Sequence, residues 1–379
     1  MIIQELSLSD YRNYEELSLS FSPGTNILFG DNAQGKTNIL EAIYLCATTR
    51  SHRGARDREI IRFGHEEGHL RILTDRDGAT YRTDIHLRAG KAKGIAVDGT
   101  RLKRASDLVG RLLVVLFAPE DLAIVKNGPA ERRRFMDMEL CQLDPVYLAN
   151  LTRYNRLLAE RAKLLKELCD HPEHTLLLEV QDKQLIEYGA SIIRTRAEFL
   201  RQVDEIIGPV HRQLTGGQEE LTIRYEPCCS AEELADRIPA AHRRDIALGQ
   251  TSVGPHKDDF SFLLKGEGES TQQLLDLRRF GSQGQQRSAS LSLKLSEIEI
   301  VRRDKKENPV LLLDDVLSEL DRHRQKQLLS AIGDIQTIIT CTGLDDLVDA
   351  RLSIDRVYQV EKGTVKEFSE KTTMEQPHE

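Results

Sequence analysis

Residues 30–37 read Gly-Asp-Asn-Ala-Gln-Gly-Lys-Thr and fit G-x-x-x-x-G-K-T. No other stretch constrains the fold of this chain as tightly. The apolar run at 26–29 predicts a buried strand before the loop, and 38–48 predicts the helix after it. Gly30 and Gly35 let the backbone turn sharply and approach a phosphate closely. The loop N–H groups and the helix N-terminus together make an anion site. The expected nucleotide-binding set is therefore Gly30, Asp31, Asn32, Ala33, Gln34, Gly35, Lys36 and Thr37. Lys36 is expected to reach the β- and γ-phosphates of ATP, and the Thr37 hydroxyl to hold Mg2+.

A second motif supports the first. Residues 309–315, Pro-Val-Leu-Leu-Leu-Asp-Asp, read as an apolar strand that ends in two carboxylates, the Walker B pattern of P-loop NTPases. Asp314 is expected to bind Mg2+ with Thr37. Asp315 stands where many such ATPases place a water-polarising Glu. Lys36, Asp314 and Asp315 are thus the expected catalytic residues. A third motif is Ser282-Gln283-Gly284-Gln285-Gln286-Arg287, which opens a predicted helix at 288–301. Its Ser282, Gly284 and Gln285 follow the order of the ABC-type signature, S-x-G-Q. A helix start with a hydroxyl and an uncovered Gly backbone suits a γ-phosphate held by a second subunit. Taken alone, the stretch also reads as a polar turn. Leu293 and Ile300 fit a two-residue period, so the pattern leaves a strand open there. Residues 318–321, Ser-Glu-Leu-Asp, fit the D-loop that follows Walker B.

Between these motifs the chain changes character. Residues 1–22 alternate as two strands, 69–98 read as strands with turns at Asp77-Gly78 and Asp98-Gly99, and 112–117 is a continuous apolar strand. Residues 121–141 look helical in part. From Pro145 to about Leu214, apolar positions recur at helical spacing, with a break at His171-Pro172. This predicts an antiparallel helical hairpin with arms of roughly 25 to 40 residues, about 40–60 Å long. The same pattern fits two core helices of a helical subdomain. Strand-like sequence resumes at 221, with strands expected at 259–264 and 335–340, and residues after Lys371 read as a polar tail. The expected division is 1–140 for the first part of an ATPase head, 141–220 for the insertion and 221–379 for the rest of the head.

The chain has a net charge of −8, so its overall field does not attract nucleic acid, and any contact with DNA must come from local basic patches. Six Cys form no C-x-x-C pair, which argues against a zinc or redox centre, and Cys228 and Cys229 read as ordinary reduced thiols. No signal peptide and no membrane-length apolar run is seen, so a soluble, cytoplasmic protein is expected.

The order of the three motifs, with about 250 residues and a helical stretch between Gly35 and Ser282, resembles the SMC-like ABC ATPases of DNA maintenance. The insertion is too short for a full SMC coiled coil and lacks the Cys pair of a zinc hook. Local wording is similar to the RecF family: Tyr11-Arg12-Asn13-Tyr14, the P-loop itself, Ser51-His52-Arg53, Phe117-Ala118-Pro119-Glu120-Asp121, Gly128-Pro129 with Arg132 to Arg134, and Gly254-Pro255-His256-Lys257-Asp258-Asp259. The signature and Walker B stretches match as well, so the resemblance covers essentially the whole chain. It implies an α/β ABC-type P-loop ATPase head of two lobes with an inserted helical hairpin. It also implies ATP-dependent homodimerisation, weak DNA-stimulated ATPase activity, and binding to duplex, gapped or junction DNA. RecR, RecO and RecA are the implied partners in gap repair, replication-fork maintenance and the SOS response. Asp315 in place of Glu, and Ile339-Thr340-Cys341-Thr342 where a switch His is expected, depart from the general ABC pattern and predict slow turnover.

The candidate DNA contacts are Arg50, Arg53, Arg56, Lys91, Lys93, Arg101, Lys103, Arg104 and the run Arg132 to Arg134. Phosphate contact needs cations but no fixed spacing. Each cluster also reads as a solvated face, and Arg132 to Arg134 as packing against the head. No aromatic residues interleave them, so a stacking platform for single strands is not supported. His52 and His256 admit acid–base chemistry or a structural role. Two alternatives stay in view. One is an SMC-like structural DNA clamp without a mediator role. The other is a nuclease-linked ATPase, for which the 58 residues after Asp321 leave no room.

Overall fold

The computed structural model describes residues 1–168, 171, 175–217, 219–265, 274–343 and 354–368. Cys169, Pro172 and the tail after Lys371 lie outside these residues. The chain forms two compact units, Met1–Pro119 with Glu297–Glu379, and Glu120–Ser296. Residues 120–140 and 221–296 thus group with the helical insertion.

The described residues of the first unit form two six-stranded sheets. The parallel sheet runs Val114–Phe117, Val310–Asp314, Thr337–Cys341, Thr25–Phe29 and Ile354–Glu361, and closes with the antiparallel edge strand Thr364–Glu367. The strands Val114–Phe117, Val310–Asp314 and Thr337–Cys341 are buried along both faces, which is why they read as largely apolar runs. The second sheet is antiparallel, in the order Tyr14–Ser20, Ile2–Tyr11, Glu67–Arg76, Ala79–Arg88, Gly94–Val97 and Thr100–Arg101. The turns at Asp77-Gly78 and Asp98-Gly99 have positive φ at both residues, the backbone that two-residue hairpins require.

The helix Lys36–Thr48 touches both sheets, and ten of its 13 residues are buried. Ile39, Leu40, Ile43 and Leu45 share one core with Leu6, Leu70 and Ile72 of the antiparallel sheet and with Leu28, Leu116 and Ile338 of the parallel one. A helix covered on both sides has to be apolar nearly all round.

The second unit contains the predicted hairpin. Helices Pro145–Glu167 and Thr175–Leu214 run antiparallel, with Tyr147 meeting Arg196, Asn150 meeting Ser191 and Arg161 meeting Asp182. Leu164, Leu165, Leu168 and Leu178 close one end. A three-stranded antiparallel sheet, Leu274–Asp276, Asp259–Lys265 and Leu221–Glu226, belongs to the same unit, as does the helix Pro129–Leu143. The stretch expected at 288–301 is helical and longer, Gln283–Lys305. The hairpin Ile354–Glu361 and Thr364–Glu367 is weakly signalled in the sequence, because alternation of buried and exposed residues is confined to Tyr358–Glu361.

The motif Gly254 to Asp259 builds the polar core of this unit. Asp258 is fully buried and accepts hydrogen bonds from Arg196 at 3.1 Å, Tyr225 at 2.5 Å and the Cys228 N–H at 2.9 Å. Arg196 also reaches Asp137 and the Pro255 carbonyl. His256 donates from Nε2 to the Thr251 carbonyl at 3.0 Å, which leaves Nδ1 to accept from the Tyr154 hydroxyl at 2.8 Å. Burial pushes the His256 pKa down to about 4, so the ring is neutral as these bonds require. His256 is thus a structural residue held by two fixed partners.

Candidate nucleotide-binding site

The strand Thr25–Phe29 delivers Gly30 into a backbone that alternates in hand: φ is +151° at Gly30, +65° at Ala33 and +119° at Gly35. Such alternation turns successive N–H groups inward and makes an anion cradle. The two glycines are also spatial requirements. A Cβ on Gly30 would lie 2.3 Å from the Val360 carbonyl, and one on Gly35 would lie 2.6 Å from both Asn13 Nδ2 and the Tyr14 hydroxyl.

The loop is braced from two ends of the sequence. Asn13 Nδ2 donates to the Gln34 carbonyl at 2.9 Å, and the Tyr14 hydroxyl donates to the Gly35 carbonyl at 3.0 Å. The Lys362 N–H donates to Gln34 Oε1 at 2.7 Å, and the Gly363 N–H donates to the Gln34 carbonyl at 3.3 Å. Gln34 therefore fixes the loop through its side chain and its backbone. Asp31, Asn32 and Ala33 form the exposed crest.

Lys36 folds back over the loop and donates to the Gly30 carbonyl and, at 2.8 Å, to the Asp31 carbonyl. Burial lowers its pKa, and the carboxylates of Asp315, Asp31 and Asp314 oppose that shift. The Thr37 hydroxyl donates to Asp314 Oδ1 at 2.9 Å. Thr340 lies on the strand between those of the P-loop and of Asp314. Its hydroxyl donates to Asp314 Oδ1 at 2.8 Å and accepts the Asp315 N–H at 2.9 Å. Asp315 has φ +53°, a strained value for a residue with a side chain, and Ser318 Oγ donates to its carbonyl at 2.7 Å. The structure thus brings Lys36, Thr37, Asp314 and Asp315 together. Asn13, Tyr14, Thr340 and Gly363 join them without any signal in the spacing of the motifs.

An oxygen-only pair, the Thr37 hydroxyl and the Asp314 carboxylate, fits Mg2+, a hard cation that prefers oxygen donors. The alternating-hand loop and the adjacent ammonium fit a polyphosphate.

The signature lies in the second unit. Ser282 and Gln285 form a reciprocal capping box: the Gln285 N–H donates to Ser282 Oγ at 3.2 Å, and the Ser282 N–H donates to Gln285 Oε1 at 2.8 Å. Gln285 Nε2 also donates to Glu219. Gly284 is exposed, and a Cβ there would meet nothing nearer than Ser282 Oγ at 4.0 Å. The helix start is thus open and capped from within. Asp321 caps the helix Arg322–Ile332 after the D-loop stretch.

Of the basic candidates, Arg50, Arg53, Arg56, Lys91, Arg101, Lys103 and Arg104 are exposed. Lys93 is not a bare surface cation, since its ammonium lies 2.8 Å from Asp57 and donates to the Thr49 carbonyl at 2.8 Å. Arg132 is buried and does not face solvent as a DNA contact would. Its guanidinium is 4% exposed and binds both oxygens of Asp259. Arg133 donates to the Asp258 carbonyl.

Ser51-His52-Arg53 and Tyr11-Arg12 meet at one buried residue. Glu41, in the middle of the P-loop helix, accepts from Arg12 Nε at 2.8 Å, Arg12 Nη2 at 2.7 Å and the Tyr11 hydroxyl at 3.3 Å, and from Ser51 Oγ. Among the described residues no helix is long and apolar enough to cross a membrane.

A family model described as RecF/RecN/SMC N terminal domain matches residues 2–366. The chain is 54% identical over 366 residues to the DNA replication and repair protein RecF of Lachnoclostridium phytofermentans, covering 97% of this chain and 99% of that one. It is 51% identical over 370 residues to the RecF of Agathobacter rectalis, covering 98% and 100%. A solved structure of the recombination mediator protein RecF with ATPrS in the RecFOR pathway superposes with a TM-score of 0.88 at 34% identity, over 97% of this chain and 98% of the other. An Smc head domain from Pyrococcus furiosus, 16% identical with a TM-score of 0.56 over 98% of this chain and 97% of the other, shares the fold. The architecture is thus an α/β ABC-type ATPase head with an inserted helical hairpin.

Proposed function

The chain belongs to the RecF family of SMC-type ATPases, and from that premise we propose that it is an ATP-driven, DNA-binding switch. Its work is recombinational gap repair and replication-fork maintenance, where RecR and RecO are its partners and RecA loading is the outcome. The observation that carries this reading is the Thr37–Asp314 contact of 2.9 Å beside a loop of alternating backbone hand. It unites the P-loop and Walker B residues in one oxygen-lined corner.

In this reading the loop N–H groups and Lys36 bind the β- and γ-phosphates of ATP. Lys36 exchanges the Gly30 and Asp31 carbonyls for phosphate oxygens. Mg2+, held by the Thr37 hydroxyl and Asp314, supplies charge neutralisation on those phosphates. Asp315 orients the attacking water, and its carboxylate is one methylene shorter than the Glu common at this place. Thr340 holds Asp314 and the Asp315 backbone but carries no titratable group to sense the γ-phosphate. Both features support slow hydrolysis, with ATP acting as a timer.

Ser282 and the open Gly284 backbone contact the γ-phosphate held by a second copy, so that ATP joins two heads. The exposed cations Arg50, Arg53, Arg56, Lys91, Arg101, Lys103 and Arg104 contact the DNA backbone.

The test is sedimentation of the wild type and Ser282→Arg, each with and without ATP. Dimerisation of the wild type alone, and only with ATP, is the expected result. Two monomers throughout, or two dimers regardless of ATP, would overturn the signature reading.

A further inference from the structure

The antiparallel sheet of the first unit carries a cluster of metal-binding chemistry that ATP binding does not use. His69 and His86 are directly opposed across neighbouring strands, and Glu67 stands two residues before His69, on the same face. The imidazoles stack 4.1 Å apart at 18°. His86 Nε2 lies 2.9 Å from Glu67 Oε2. One donor atom from each of the three residues falls within 4.8 Å of the others. His69 and His86 line a cavity of about 530 Å3, together with Arg71, Arg88 and Arg101 among others.

We propose that Glu67, His69 and His86 form a three-ligand site for a borderline divalent transition metal such as Zn2+. Two imidazoles and one carboxylate are the donor set that leaves Zn2+ an open fourth position. Ligand atoms around tetrahedral Zn2+ lie roughly 3.4 Å apart, given bonds of about 2.0–2.1 Å. Convergence on one ion requires the stacked rings to turn until their in-plane nitrogen lone pairs meet, and Glu67 and His69 are exposed enough to rotate. The neighbours leave room. In the row across the sheet, His69 is flanked by Ser9 and His86 by Gly94, both small residues.

Two of the three arginines that line the cavity have polar partners. Arg71 is paired with Asp84 at 2.7 Å, and Arg88 donates to the Ala92 carbonyl at 2.9 Å. Opposed imidazoles also pack as an ordinary cross-strand pair. The added carboxylate on the same face is what turns the pair into a chelate.

The experiment uses the full chain, stripped of metal and free of nucleotide, titrated with Co2+ and then Zn2+. Wild type should show the visible d–d bands of low-coordinate cobalt with nitrogen and oxygen ligands, and Zn2+ should displace them. His69→Ala/His86→Ala should lose the bands while retaining ATP binding, and Glu67→Gln should weaken Co2+ binding about tenfold or more. A double variant that titrates like the wild type overturns the proposal. A second measurement needs no variant. In the wild type, Zn2+ should protect His69 and His86 from diethyl pyrocarbonate but not His323, an exposed residue of the helix Arg322–Ile332. Equal modification of all three with and without Zn2+ overturns it too.

Discussion

Arg12 grips Glu41 with two nitrogens, at 2.8 and 2.7 Å, and Glu41 is fully buried in the helix that begins at the P-loop. A carboxylate in the middle of a core helix is costly unless it is compensated. Burial alone would raise its pKa, but the hydrogen bonds from Arg12 and Ser51 and the Arg12 charge bring it below the ordinary value.

Arg12→Ala should therefore destabilise the first unit by about 3 kcal/mol, the scale of breaking a buried pair. The pH dependence identifies the cause. In the wild type the Glu41 pKa is depressed, so its contribution is present above the unfolded pKa and fades as pH falls through the folded one. In the variant the Arg12 hydrogen bonds and charge are gone, the Ser51 hydrogen bond alone still opposes burial, and the Glu41 pKa moves up. The gap between the two proteins in urea unfolding should shrink as pH falls toward ~4, near the ordinary carboxylate range. A gap independent of pH would count against this account.

Asp314→Asn keeps the shape of the corner but removes the charge facing Thr37 and Thr340. ATP turnover should fall on the order of a hundredfold, as when one electrostatic group is removed from a preorganised site. Nucleotide binding without Mg2+ should change little. Equilibrium binding with and without Mg2+ separates the two effects.

His256 gives the second unit an acid-sensitive element. Its folded pKa of about 4 lies below the usual 6.5, so the unfolded chain takes up the proton first. The stabilisation is complete above about pH 6.5 and fades as pH falls through that window, by up to about 3 kcal/mol. His256→Gln should flatten this part of the stability profile, measured by urea unfolding at a series of pH values.

The basic candidates separate by partner. Arg101→Ala/Lys103→Ala/Arg104→Ala should weaken duplex DNA binding similarly for all sequences. The slope of log affinity against log salt should drop by about one for each DNA phosphate that the variant no longer neutralises. Lys93→Ala should show itself mainly as reduced stability, because Asp57 and the Thr49 carbonyl already hold that ammonium. An equal fall in DNA affinity for both proteins would contradict the division.

Much of this architecture is legible in the sequence where chemistry is local. The P-loop, the Walker B strand and the capped signature helix each announce themselves within about ten residues, because glycine geometry, apolar runs and capping act over that range. The hairpin of helices shows through its spaced apolar stripe. What escapes is joined over long separations. Asn13 and Gly363 meet on Gln34, and Arg12 and Ser51 meet on Glu41. Neither meeting leaves a period or a spacing. Whether Arg132 faces solvent or packs inward stays open in the sequence until the fold places Asp259 against it.

The bracing of Gln34 by Asn13 on one side and Lys362 and Gly363 on the other bears on synthesis as well as on chemistry. The strand that delivers the loop, Thr25–Phe29, lies between Thr337–Cys341 and Ile354–Glu361, so both its neighbours come far later in the sequence. On the ribosome, where chains emerge N-terminus first, the loop appears early together with Asn13 and Tyr14, while its flanking strands and the Lys362–Gly363 brace follow much later. A nascent chain of this protein thus carries its P-loop sequence for a long stretch of translation with only one of its two braces. A chain cut short before residue 354 lacks one flanking strand and the brace on Gln34 from Lys362 and Gly363.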